Sequence, residues 1–277
     1  MVRNFTRIII KNNIRIYLSD LTDIVNQILI NHKYKPFPSL ILANAIVALA
    51  PLKFLYESDK MLVRIKSNGA IKSLIFETNF SNVRTLISNP NIETEYDNSS
   101  NVNTIPLILG IGDDGTLEVS REINGEFFNS KTQLAKFDIV TDVAYYLNKS
   151  DQIYSAVLND VELDLENKNT TTKSKNIIFQ LLPNHTEKDK EWIEQFIKEH
   201  KFNEYSILEI EKQIDGKLLE IKQLYGDCWC SKEKMINAVK LLEKNEINEL
   251  FKNENKIEIS CEFCSIKHLI FKNDLFK

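Results

Sequence analysis

All four cysteines of this chain fall in its last fifty positions, as Cys228-Trp229-Cys230 and Cys261-Glu262-Phe263-Cys264, two close pairs separated by thirty residues. Four thiolates can close a tetrahedral shell around Zn²⁺, and two short knuckles brought together by a folded hairpin supply them with little chain left to order. A thiolate is also the form that oxidants attack, so a site made only of cysteines is a potential redox sensor. Metal and oxidant compete for the same sulfurs.

Both knuckles have a scaffold in the pattern around them. Ser231 is placed to cap a helix running through Met235, Val239 and Leu242, while Ile257 and Ile259 lead into the second pair as a strand. Cys228, Cys230, Cys261 and Cys264 are therefore the candidate ligands of one zinc ion per chain. His268, four residues after Cys264, is able to replace one thiolate, but its place in an apolar run favours a strand residue stacked in the hairpin core. His32, His185 and His200 are scattered and are expected on the surface or in the core.

Gly110-Ile111-Gly112-Asp113-Asp114-Gly115 spells G-x-G-x-x-G, yet a dinucleotide fingerprint requires a helix to open at the glycines, and Thr116 to Val119 continues as a strand. Two aspartates would also repel a phosphate, and Asp-Asp-Gly reads as a hairpin turn. No nucleophile, base and orienting group stand in a recognisable elbow, so no catalytic residue is assigned and the chain is not expected to be an enzyme. A thiol-disulfide oxidoreductase would open a helix at Cys-x-x-Cys, whereas Ile266, Leu269 and Ile270 after Cys264 read as a strand.

The elements that must carry this end begin with an alternation, Phe5, Ile8, Ile10 and then Ile14, Ile16, Leu18, around Lys11-Asn12-Asn13, which predicts a β-hairpin. Leu21, Ile24, Val25, Ile28 and Leu29 recur at helical spacing with Ser19 as a cap. Ser39 is expected to cap a buried helix from Leu40 that Pro51 ends or kinks. Strands follow over 61–66, 71–77, 82–87, 104–109 and 116–121, then a helix over 137–149 and strands over 157–165 and 176–182. Strands joined by short turns, with helices grouped, predict an α+β domain with a mixed or antiparallel sheet. From Glu187 to Leu224 the chain is dense in Lys and Glu, with Trp192, Ile193, Phe196 and Ile197 at helical intervals. It reads as a mainly helical connector, either a solvated helical pair or a switchable linker, that Gly216 would weaken by roughly 1 kcal/mol relative to Ala. The expected organisation is a core over 1–175, a linker over 176–226 and a small zinc domain over 227–277.

At 277 residues with 43% hydrophobic content the chain can bury a substantial core plus a smaller module. The net charge of −4 argues against a nucleic-acid binder, because holding phosphates needs a clustered basic face. From Cys228 to Lys277, nine lysines face eight acidic residues, interspersed. A zinc-ribbon nucleic-acid binder is thus the lesser alternative, and salt-sensitive binding to duplex or single strands would favour it. The apolar stretch Leu40 to Leu52 is interrupted and too short to span about 30 Å of hydrocarbon, and the N-terminus does not read as a signal peptide, so a cytoplasmic protein without a membrane partner is expected.

The residues resemble a known family, the redox-regulated 33 kDa chaperonin or heat shock protein thirty-three, over nearly the whole chain. The C-x-C, thirty residues, C-x-x-C arrangement carries the resemblance, with Ser88-Asn89-Pro90, Gly112 to Leu117, Ala144-Tyr145-Tyr146, Ser150-Asp151-Gln152 and Phe179 to Pro183 in family order. Three positions depart from it: a thinned glycine turn at Ser67-Asn68-Gly69, Asn184 in place of a glycine, and His268 where a tyrosine is common. The resemblance implies an ATP-independent holdase for unfolding client proteins, silent when reduced and zinc-loaded. It also implies that oxidation pairs Cys228 with Cys230 and Cys261 with Cys264, unfolds the linker and permits a homodimer.

Overall fold

The N-terminal alternation folds as the hairpin it predicts. In the computed structural model, which describes residues 2–92, 101–150, 152, 154–167 and 169–276, β1 (Phe5–Lys11) and β2 (Ile14–Asp20) pair antiparallel, with Asn12 taking up a positive φ in the turn. Asp151 of the family-order stretches lies outside the described residues.

Three helices follow: α1 (Thr22–His32), α2 (Pro36–Leu49) and α3 (Leu52–Tyr56). Ser19 does not cap α1. It lies buried inside β2, its hydroxyl 2.9 Å from that of Thr6, and the helix start is held by the Asp20 carboxylate and the Arg3 carbonyl, which accept from the Thr22 and Asp23 amides. Ser39 is likewise inside α2, which begins a turn earlier because Pro36 suits a first helical position. Pro51 ends α2 and opens α3. Together α2 and α3 are long and apolar enough to cross a bilayer, but α2 is buried among the protein's own side chains and forms the centre of the main core.

One five-stranded antiparallel sheet, order β5-β4-β3-β6-β7, comprises β3 (Lys60–Ser67), β4 (Ser73–Asn79), β5 (Asn82–Ile87), β6 (Gly115–Ile123) and β7 (Glu126–Gln133). The strand expected over 104–109 is instead a 3₁₀ turn followed by the short helix α4 (Ile108–Ile111). Pro106 has no amide to offer a ladder. The Asp113-Asp114-Gly115 turn is not a hairpin either: α4 ends at Gly112, whose φ of 90° reverses the chain, and Gly115 starts β6. A helix thus precedes these glycines, the reverse of a dinucleotide fingerprint. β7 has no apolar alternation because it is an exposed edge.

After α5 (Ile139–Ser150), strands β8 (Ser155–Leu163) and β9 (Thr171–Leu181) join the N-terminal hairpin. The segment beyond forms α6 (Glu187–Glu199), α7 (Ile207–Ile214) and β10 (Lys217–Lys222). The second sheet runs β10-β1-β2-β9-β8, all antiparallel. Side chains alternate across it, so Ile8, Tyr17 and Ile178 share a core with α1 and α2, while Ile9, Ile16, Leu18, Ile177 and Phe179 face α6 and α7.

The charged connector is therefore not helical throughout, and its apolar stripe has a partner. Ile193, Phe196, Ile207, Ile210 and Ile214 are buried against the sheet, with Trp192 and Ile197 partly covered. Gly216 sits outside any helix, where the chain turns from α7 onto β1: a Cβ there would come within 2.6 Å of Ile9 Cγ2.

The chain divides into two compact units, Met1–Gly226 and Asp227–Lys277. The second holds α8 (Lys232–Lys240), α9 (Lys244–Leu250) and the hairpin β11 (Lys256–Ser260) and β12 (Lys267–Phe271). Its buried core consists of Val239, Phe251, Ile270 and Leu275 alongside the two sulfurs of the second knuckle. So small a core is marginal by itself.

Candidate metal centre

The first knuckle ends where α8 begins. Ser231 is the N-cap of that helix, accepting from the Lys234 amide at 3.2 Å, and the Lys234 ammonium returns to the Trp229 carbonyl at 2.6 Å. Cys228 and Cys230 are thereby tied to the first turn of α8. The helix is in turn fixed to the end of the chain by the 2.8 Å ion pair between Lys232 and Asp274.

The second knuckle is the connection between β11 and β12. The Ser265 amide donates to the Cys261 carbonyl at 2.8 Å, the Cys261 amide donates to the Ile266 carbonyl at 2.9 Å, and Ser265 takes a φ of 60°. This tight turn puts Cys261 and Cys264 on the same side. No helix opens at Cys264; β12 follows.

All four Sγ atoms lie within 4.8 Å of one another. Cys228 Sγ is 3.8 Å from Cys261 Sγ, and Cys230 Sγ is 3.5 Å from Cys264 Sγ. A tetrahedral shell with metal–sulfur bonds of about 2.3 Å has edges of about 3.8 Å. The spacing fits a metal ion. So does the chemistry of the donor set: burial pushes the Cys230 and Cys264 thiols up from their ordinary value, and for Cys230 the neighbouring sulfurs Cys228 and Cys261 push further. Several adjacent thiolates become compatible only when a cation neutralises them. Among the described residues these four form the one group of three or more closely placed His, Cys, Asp or Glu donors.

His268 lies on β12 opposite Ile259 and is half-buried, as its apolar run predicts, but its ring also reaches the sulfurs: Nε2 is 3.4 Å from Cys230 Sγ. The hairpin register carries this signal, because His268 pairs with a residue two before Cys261, and sequence spacing alone does not reveal it. The other histidines take structural places. His32 Nε2 is 2.7 Å from the Thr85 carbonyl, with burial holding its pKa below the ordinary value; His185 Nδ1 is 2.8 Å from the Leu182 carbonyl; His200 stacks on Phe196 with ring centres 4.3 Å apart.

Comparison with known proteins agrees with this arrangement: the sequence matches the Hsp33 protein family over residues 4–270. The chain belongs to the Hsp33 family. Among curated Hsp33 relatives, the 33 kDa chaperonin of Acholeplasma laidlawii (strain PG-8A) is 26% identical over 290 residues, covering 100% of this chain and 98% of its own length. The 33 kDa chaperonin of Bacillus subtilis (strain 168) is 27% identical over 274 residues, covering 95% and 92%. The fold is similar to the crystal structure of the 33 kDa chaperonin (heat shock protein 33 homolog) from Thermotoga maritima, with a TM-score of 0.85 at 23% identity over 99% of this chain and 97% of that one. The chain is an α+β chaperone of the Hsp33 family, and such chaperones bind client proteins.

Proposed function

We propose that this chain is a redox-regulated, ATP-independent holdase of the cytoplasm that binds unfolding proteins after thiol oxidation and metal release. In the resting form Cys228, Cys230, Cys261 and Cys264 hold one Zn²⁺ per chain. Residues 1–175 serve as the chaperone core, 176–226 as the linker and 227–277 as the switch. Clients are unfolded or partly unfolded proteins, with neither nucleic acid nor membrane as partner, and the oxidised form is a homodimer.

The observation that carries this reading is a complete tetrahedral sulfur set inside a module whose own buried core is four residues. In a module of that size metal binding supplies roughly 10–16 kcal/mol of folding free energy. On oxidation Cys228 pairs with Cys230 and Cys261 with Cys264, a pairing that rests on the family resemblance; the 3.8 and 3.5 Å contacts run between knuckles, as the edges of a tetrahedron do. Such disulfides close loops of three or four residues, and loop entropy extended to that size gives at most roughly 2 kcal/mol each. Oxidation leaves a deficit, and the module unfolds.

The connector's place in the fold supports the next step. Its last strand, β10, ends at Lys222, a few residues before Cys228, so an unfolded module loosens the end of the segment that covers Phe179 and its neighbours. Released, α6 and α7 expose Trp192, Ile193, Phe196 and Ile197 together with the sheet face beneath, an apolar patch suited to unfolded chains.

The test follows zinc, thiols and aggregation in one sample. Peroxide with mild heating should release one zinc per chain and then slow aggregation of a denatured client, while reduced protein does little. Equal suppression by the reduced, zinc-loaded form would overturn the switch.

A further inference from the structure

The geometry points to His268 as a reserve metal ligand that takes the place of Cys230 when that thiolate is lost. This inference rests on the reading of the four sulfurs as a metal shell.

Three observations carry it. First, the His268 Nε2 atom lies 3.4 Å from Cys230 Sγ, close to the edge length that separates two donors on one ion and far shorter than a ring stacked only on apolar neighbours would require. Second, Cys230 is the sulfur it meets; the ring stands outside the group whose members all lie within 4.8 Å of one another, so it backs one corner of the tetrahedron rather than competing for the whole site. Third, its backbone is held where a substitute ligand is needed. His268 sits in the β11–β12 ladder opposite Ile259, and the same hairpin delivers Cys261 and Cys264, so ring and second knuckle move together. An imidazole nitrogen is a good zinc donor, and a shell of three cysteines and one histidine is a stable structural type.

While Cys230 is a thiolate, the ring donates its Nε2 hydrogen to the sulfur, since a metal-bound thiolate offers only lone pairs. When hydrogen peroxide reacts at Cys230, the thiolate sulfur bonds to one peroxide oxygen, which keeps its hydrogen, the O–O bond breaks, and hydroxide leaves; sulfur is oxidised to the sulfenic acid and peroxide is reduced. That corner has lost its donor. The released hydroxide takes the Nε2 proton to form water while a water returns one to Nδ1, and a rotation of the imidazole then offers the Nε2 lone pair to the ion in place of the lost sulfur. The reserve fails when Cys228 attacks the sulfenic sulfur, expels hydroxide and forms the disulfide, because two sulfurs are then gone and one nitrogen cannot replace both. His268 thereby makes a single oxidation insufficient to discharge the ion.

Cobalt(II) tests this in the full-length chain, because its sulfur-to-metal absorption scales with the number of thiolates and its visible bands report tetrahedral geometry. The parent chain should bind one cobalt with a four-thiolate spectrum; no binding would instead refute the metal shell itself, a separate failure. Cys230→Ser should still bind one cobalt, tetrahedral, with the spectrum of three thiolates and one imidazole, while Cys230→Ser with His268→Phe should bind at least about tenfold more weakly. Cys228→Ser should gain nothing from His268, so adding His268→Phe to it should leave its affinity unchanged. His268→Phe alone should keep the four-thiolate spectrum but release zinc at fewer equivalents of peroxide. Equal cobalt affinity of Cys230→Ser with and without His268 would overturn the proposal, as would a histidine effect of equal size in the Cys228→Ser background.

Discussion

Arg7 on β1 is ion-paired with Glu211 on α7, with Nη2 donating to Oε1 at 2.9 Å and Nε 2.7 Å from Oε2, both side chains largely withdrawn from water. This charge-assisted hydrogen bond ties α7 to the sheet beneath it. Replacing Glu211 with Ala leaves Arg7 without its partner and should weaken the seating of α7 by about 1.5–3 kcal/mol. Hydrogen exchange should then quicken at the amides of α7 and β10 while those of β3 and β6 stay protected. Unaltered exchange at α7 would show that the apolar stripe alone holds the helix.

Gly216 separates two readings of the connector by sign. Were it a helical residue, Gly216→Ala would stabilise by roughly 1 kcal/mol. In the fold a methyl group there meets Ile9 Cγ2 at 2.6 Å and the Ile10 carbonyl at 3.0 Å, so the substitution should destabilise by about 1–3 kcal/mol and lower the urea concentration at which the connector opens. A stabilised variant would restore the helical reading.

The contrast at Gly216 shows what pattern alone conveys. The β1–β2 hairpin, α2 and the four sulfurs were legible because period-two alternation, an unbroken apolar run and close cysteine pairs each determine their own local outcome. β10 was not: Lys217 to Lys222 is exposed along its whole length and is a strand only because β1 offers it an open edge. β7 escaped for the same reason, and the segment at Thr104 was misjudged because its β-branched and apolar residues fill space under a 3₁₀ turn. Of the site, the gathering of the four sulfurs was visible and His268 stood out as an alternative donor, but which sulfur its ring meets was not legible, since that depends on a register set by residues on the other strand.

The start of α6 supplies a pH dependence. Thr186 and Asp189 form a capping box, in which the Asp189 carboxylate accepts from the Thr186 amide at 2.8 Å and the Thr186 hydroxyl at 2.9 Å; these bonds hold its pKa below the ordinary carboxylate value. A depressed folded pKa means stability that is fully present above the unfolded value, about 3.9, and lost as pH falls through the folded one. Asp189→Asn should therefore cost about 1 kcal/mol at neutral pH. Denaturant titrations of variant and parent should converge as the pH drops below the carboxylate range. A deficit that stayed constant down to the acid limit would assign the loss to packing.

A residue that touches no sulfur gives the sharpest view of how metal and fold are joined. Ile270 is fully buried among Val239, Phe251 and Leu275, so Ile270→Ala should cost the second unit about 2–5 kcal/mol. If the module folds only around its ion, that loss is subtracted directly from the binding free energy, because the metal-free state has no core left to damage. Zinc affinity measured against a competing chelator should then fall roughly thirtyfold to a few thousandfold, at 1.4 kcal/mol per factor of ten, although every ligand is intact. A module already folded before metal arrives would lose stability in both states and keep its affinity, and that result would remove the link between ion release and unfolding on which the switch depends.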